Sequence, residues 1–205
     1  MKLSKKLFAV LLAVVLVIAC MPAAFARTEC PAAALTDVDT SQYYHAGVDY
    51  MLSKGYMTGT SAKTFSPGVN LTRGMVLTAL YSMAGKPAAQ YKGAFSDVRA
   101  GAYYALAVEW GAANKIASGY TGGTFKPDQN VTREQLATFL YSFAKFSGVN
   151  VSIGEDTNIL SYDDALTISE YAIPAIQWAC GAGVLSGSNN SLLPKDDATR
   201  AQFAV

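Results

Sequence analysis

The 205-residue chain is poor in histidine and cysteine, with one and three respectively, and its 16 basic and 15 acidic residues nearly cancel. A Ser-His-Asp or Cys-His set would have only His45 to serve as base, and the spacing of Cys30 and Cys180 resembles no metal site. Cys180 lies on an apolar helical pattern and reads as a small buried hydrophobe. Long apolar runs are also scarce. The only one, Leu7 to Ala19, is 13 residues, against the roughly 20 that a membrane-spanning helix needs. These absences exclude a transmembrane segment in the mature chain and leave no cofactor or metal to expect.

What is present begins with a leader. Lys2, Lys5 and Lys6 precede the apolar run, and Ala24-Phe25-Ala26 follows it as a small-x-small cleavage signal, so residues 1–26 read as a secretory signal peptide. Val17-Ile18-Ala19-Cys20 also fits a lipobox, in which Cys20 would become a lipidated N-terminus. Removing residues 1–26 leaves 13 basic and 15 acidic residues, a balance that gives nucleic acid no electrostatic foothold.

The remaining chain repeats itself. Leu35-Thr36-Asp37-Val38 matches Phe95-Ser96-Asp97-Val98 and, more loosely, Tyr162-Asp163-Asp164-Ala165. Tyr43, Tyr103 and Tyr171 follow, then Tyr50, Trp110 and Trp178, then Gly59, Gly119 and Gly187. Phe65-Ser66-Pro67, Phe125-Lys126-Pro127 and Leu192-Leu193-Pro194 come next, and Thr72-Arg73, Thr132-Arg133 and Thr199-Arg200 close the register. Each unit reads as helix, loop, helix. Tyr103, Leu106, Ala107 and Trp110 make the apolar stripe of a first helix, and Leu136, Phe139, Leu140 and Phe143 that of a second, copied by Val76, Ala79, Leu80 and Met83. Thr132 with Gln135, and Thr199 with Gln202, have capping-box spacing; Met75 leaves repeat one only half the cap. A two-helix unit cannot bury its own apolar faces, so the units should pack on one another. The boundaries expected are 35–86 for repeat one, 95–146 for repeat two, 147–160 for a polar linker and 161–205 for repeat three, whose second helix is cut short and whose docking the long linker should loosen.

These elements, in order and three times over, resemble the S-layer homology domain across residues 35 to 205. The resemblance implies a mostly α fold of tandem helix-loop-helix repeats packed as a pseudo-threefold helical bundle. It also implies grooves that bind secondary cell-wall polysaccharide attached to peptidoglycan, often pyruvylated, and so a secreted protein held at the cell wall or S-layer. Three departures stand out: Gly74-Met75 after Arg73, Lys115 where the other repeats have Gly55 and Gly183, and the end of repeat three at Val205, which leaves its groove in question and suggests a longer gene product.

The candidate ligand-binding residues are Arg73, Arg133 and Arg200, Asp37, Asp97 and Asp164, Trp110 and Trp178, and Gly59, Gly119 and Gly187. An arginine in the first turn opposes the helix macrodipole, so finding it three times asks for a reason. One reading is that it holds a carboxylate such as a pyruvate ketal, helped by the unpaired N–H groups of that helix end. The other is a salt bridge to Asp37, Asp97 or Asp164. The tryptophans could stack on sugar faces, although Tyr50 at their position argues for core filling. Catalysis has little to build on, since His45 is matched by Ala105 and Ile173 and reads as an exposed helix residue. The adjacent acids Asp163-Asp164, Glu155-Asp156 and Asp196-Asp197 read as solvated loop residues rather than a glycosidase pair. A small wall hydrolase and a purely structural S-layer subunit remain the rival readings. Mass spectrometry of the secreted chain should find Arg27 at its start; a lipid-modified Cys20 there would overturn the cleavage site.

Overall fold

The computed structural model describes residues 30–152 and 157–205. The signal peptide, the Cys20 lipobox and Glu155-Asp156 lie outside the described residues. Contacts divide the chain into Met1–Cys30 and Pro31–Val205. Among the described residues the second unit is helical, with isolated β-bridges and no strand.

The first helices of the three repeats are α1 (His45–Ser53), α3 (Ala105–Ala113) and α5 (Ile173–Gly181); the second helices are α2 (Arg73–Met83), α4 (Arg133–Phe146) and α6 (Arg200–Ala204). The first helices carry no side-chain cap at their N-termini. They end alike: the residue after the C-cap is left-handed, and two amides turn back onto the last turn, as in Tyr56 N–H to the Met51 carbonyl and Gly55 N–H to that of Leu52. Gly55 and Gly183 suit that conformation, whereas Lys115 adopts it at φ 59° without the glycine that normally relieves the clash. The expected stripe of the first helix shifts. In α3 the buried residues are Ala105, Ala107, Val108, Glu109, Trp110 and Gly111, while Tyr103, which precedes the helix, and Leu106 are 64% and 42% exposed.

Each loop is pinned by the aspartate that opens its repeat. The Asp97 carboxylate accepts the amides of Phe125 and Lys126, both at 2.7 Å. Asp37 does the same for Phe65 and Ser66, and Asp164 for Leu192 and Leu193. The second residue of each pair is left-handed, Ser66 at φ 60°, Lys126 at 55° and Leu193 at 54°, a conformation costing an L-residue on the order of 1–2 kcal/mol. The first, Phe65, Phe125 or Leu192, is fully buried in the core. The carboxylate thus holds a strained backbone that drives an anchor side chain inward.

The second helices begin where the cap chemistry places them. Thr72, Thr132 and Thr199 accept the amides of Met75, Gln135 and Gln202, and the last two form complete capping boxes. Just before these caps the repeats join in a ring. The amide of Leu71 donates to the carbonyl of Ala198, that of Ala198 to Val131, and that of Val131 to Leu71, at 2.8, 2.8 and 2.9 Å. Accordingly α2 packs on α3, α4 on α5 and α6 on α1. Repeat three is not loosely docked: Glu134 accepts the Ser169 amide and hydroxyl, the Tyr171 hydroxyl and Lys195 Nζ.

Replacing Asp97 by alanine should destabilise the fold by about 2 kcal/mol or more in denaturant melts, because two amides lose a charged acceptor. Asparagine, which keeps one acceptor oxygen, should cost less. Burial tends to raise the Asp97 pKa, but the Phe125 and Lys126 amides outweigh it and hold the carboxyl below its usual value. A depressed folded pKa stabilises above the unfolded value and loses that contribution as pH falls through the folded one. Wild-type stability should therefore fall below about pH 4, and the alanine variant should lack this share of the decline.

Candidate functional site

Ring closure creates three clefts of about 430, 480 and 510 Å³. In each, one repeat supplies the glycine-bearing loop and second helix, the preceding repeat supplies the arginine, and the following repeat supplies the tyrosine that precedes its first helix. The cleft of repeat one is lined by Thr58, Thr78, Lys86, Arg200 and Tyr103. That of repeat two has Lys115, Tyr120, Gln135, Arg73 and Tyr171, and that of repeat three Ser186, Gln202, Phe203, Arg133 and Tyr43. No aspartate or glutamate lines any of them.

Arg73 Nε donates to the Phe125 carbonyl and Nη2 to that of Ser118, both at 2.8 Å. Arg133 reaches Leu192 and Ser186 in the same way, and Arg200 reaches Phe65 and Thr58. Each guanidinium therefore clamps its own repeat to the next. The Arg73 Cζ lies 4.5 Å from the Phe125 ring centroid and 4.8 Å from that of Tyr120, and Arg200 lies 4.4 Å from Phe65. Arg73 and Arg200 are only 5% and 6% exposed, and burial lowers their pKa values below the usual guanidinium range.

The expected salt bridges are absent: among the described residues the one ion pair is Lys195–Glu134, at 2.7 Å. Asp37, Asp97 and Asp164 spend their oxygens on loop amides rather than on the arginines. The helix ends are not open to an anion either. The amides of Arg73 and Gly74 donate to the carbonyls of Gln129 and Pro127, with matching bonds at Arg133, Glu134, Arg200 and Ala201, and the threonine caps take the third amide. The arginine turns away from its own helix end to bond the neighbouring repeat, which resolves the apparent conflict with the macrodipole.

The tryptophans are core residues. Trp110 is 4% exposed, against Tyr81, Phe143 and Phe146, and Trp178 is 7% exposed, against Tyr141; neither presents a face to a cleft. The glycines are steric necessities of the loop. A Cβ on Gly119 would sit 2.7 Å from the Thr124 carbonyl and overlap the Phe95 ring, and one on Gly187 would sit 2.6 Å from the Tyr162 ring. His45 is half-buried at the start of α1 rather than exposed. Asp163 accepts Asn190 Nδ2 and Asp197 accepts Asn70 and Asn130, so these loop acids are already engaged.

The repeat register contains Tyr43, Tyr103 and Tyr171 without marking them as site residues, and Lys115 stands out in it only as a departure. The tyrosines are 68%, 64% and 56% exposed at the cleft rims. Tyr171 has its pKa pushed up to about 12 by burial and by the Glu134 carboxylate, so its phenol stays neutral.

Three helix-loop-helix repeats closed into a ring, with an arginine passed from each to the next, define a repeat-built binding module. The family model for the S-layer homology domain matches residues 34–74, 94–137 and 161–204, and the chain belongs to that family. It is 29% identical over 170 residues to an endoglucanase of Bacillus sp. (strain KSM-635), covering 82% of this chain and 18% of that protein. Against the surface-layer 125 kDa protein of Lysinibacillus sphaericus the identity is 27% over 179 residues, covering 85% and 14%. A cellulosome-anchoring protein of Acetivibrio thermocellus is 32% identical over 88 residues, covering 42% and 19%. The chain thus spans less than a fifth of the length of these relatives. The family makes it a cell-surface anchoring module, and no helix among the described residues is long and apolar enough to cross a membrane.

Substituting Arg73 by alanine should lower stability by about 2–4 kcal/mol, from two carbonyls left without a charged donor and the cavity left between repeats one and two. Lysine should recover only part of the loss, because it lacks the fork that reaches both carbonyls. Thermal and denaturant unfolding of the two variants check this.

Proposed function

We propose that this protein is held at the bacterial wall by binding an anionic secondary cell-wall polysaccharide in the clefts between its repeats. The observation that carries the reading is electrostatic: each of three clefts holds a guanidinium with no carboxylate partner, and no acid lines any cleft. A charge taken out of water without a counter-ion is costly, and a ligand carboxylate, such as that of a pyruvylated sugar, would supply one. Arg73, Arg133 and Arg200 are the ligand-facing charges in this reading, oriented in advance by the loop carbonyls, so little side-chain entropy is lost on binding. Gly59, Gly119 and Gly187 let the cleft loops close tightly on their own carbonyls, while Asp37, Asp97 and Asp164 fix the shape of those loops. Trp110 and Trp178 support the core behind the clefts. The relatives named for the surface layer and for cellulosome anchoring agree with attachment as the role.

The test uses purified sacculi before and after acid removal of the secondary polymer. Retention on the native sacculi alone supports the proposal, whereas sheet formation without wall retention favours the structural-subunit reading. Lys115 offers a cleaner electrostatic probe than the arginines, since it lines its cleft from an exposed position and makes no clamp. Lys115→Glu should weaken wall binding about tenfold and flatten its dependence on salt. Stability should change by no more than about 0.5 kcal/mol.

A further inference from the structure

The three rim tyrosines share one placement. Tyr43, Tyr103 and Tyr171 each lie just ahead of a first helix, separated from it by a single residue. Each lines the cleft of the repeat before its own, together with an arginine supplied by the remaining repeat. Their exposure, from 56% to 68%, leaves large apolar ring surface in water at three equivalent points. The positions next to them face inward instead: Tyr104 and Ala172 are buried and Tyr44 is half-buried. The rings are nonetheless held in place. Tyr43 and Tyr103 make edge contacts with Tyr44 and Tyr104, at centroid distances of 5.2 and 4.9 Å, and the Tyr171 hydroxyl donates to Glu134 at 3.3 Å. A tyrosine fixed in this way offers a flat apolar face at low entropic cost, the property that makes it common in binding surfaces.

We infer that Tyr43, Tyr103 and Tyr171 are binding residues of the clefts, each presenting its ring face to the apolar C–H face of a sugar whose acidic group lies toward the arginine. This rests on the polysaccharide reading and extends it: a pyranose has an apolar face as well as polar edges, and a cleft with a cation at one side and an aromatic rim at the other suits a sugar acid over a bare anion. The geometry also makes every cleft a three-repeat object. Repeat two alone would lack both Arg73 and Tyr171, and a pair of repeats would still lack one of them.

The experiment compares the full chain with Tyr171→Ala, Tyr103→Ala, the double variant, and the corresponding phenylalanine variants, on native and acid-stripped sacculi, with thermal midpoints measured in parallel. Each alanine change should weaken retention on native sacculi about tenfold, and the double change should weaken it further. Phenylalanine should retain binding, because it keeps the ring face. Tyr171→Phe controls for the lost Glu134 contact, so that a loss seen with alanine and not with phenylalanine at equal midpoint belongs to the ring. Alanine variants that bind as the wild type does would overturn the inference while leaving the cleft reading intact. Phenylalanine variants as weak as the alanine ones would overturn stacking in favour of the hydroxyl. A wild-type chain that ignores native sacculi would overturn the cleft reading and this inference together.

Discussion

The structure depends on a ring of three backbone hydrogen bonds. Leu71, Val131 and Ala198 each donate an amide to one neighbouring repeat and accept at the carbonyl from the other. Such a ring has no stable two-member form, since any pair leaves a donor and an acceptor unmatched beside a buried core. The three second helices consequently point their N-termini toward one axis, and their like-signed dipole ends would oppose assembly. Two features answer this. The first-turn amides are taken up by carbonyls of the next repeat, and the axis carries one negative charge: of the equivalent residues Asn70, Asn130 and Asp197, the aspartate accepts hydrogen bonds from both asparagines, at 2.9 and 2.7 Å.

The arginines follow from the same closure. A guanidinium at the first position of a second helix gains nothing from its own helix, but the ring brings the loop of the next repeat within reach of its fork. The bonds to that loop use Nε and Nη2, so holding the repeats together and presenting charge to a cleft are done by one group. Binding and stability are therefore not separable at these positions by a simple truncation. They separate at Lys115, which lines its cleft without bridging repeats.

What can be read in the sequence is what is local. The threonine caps with Gln135 and Gln202 need only a four-residue window, and the mostly helical repeat follows from register. The partners of Asp97 lie 28 and 29 residues away and those of Arg200 more than 130, so nothing in either neighbourhood distinguishes a loop pin or a clamp from a ligand residue. Tyr103 misleads for another reason: the helical period of its stripe runs two residues ahead of where α3 begins, which turns a rim residue into a core one. Lys115 is visible as an exception to glycine, but its meaning lies in a left-handed φ and a cleft that only the fold defines.

Departures from threefold symmetry are matched across interfaces. At the contact of repeats one and two, Gly74 faces the ring of Tyr104, and a Cβ there would lie 2.9 Å from it. The equivalent pair between repeats two and three is Glu134 with Ala172, a large polar residue in place of none and a small residue in place of the ring. Ala172 vacates the volume, and Glu134 fills it with a carboxylate that collects Ser169, Tyr171 and Lys195. Burial alone would raise the Glu134 pKa, but Lys195 and Ser169 outweigh it and keep the group charged. This is also the interface spanned by the long 147–160 connection. Lengthening a connection costs little, about 0.6 kcal/mol per doubling, and the contacts at Glu134, whose Lys195 partner is half exposed, dock the third repeat against the second. The exchange of Gly74 and Tyr104 for Glu134 and Ala172 thus lets a longer linker and a tightly docked third repeat coexist.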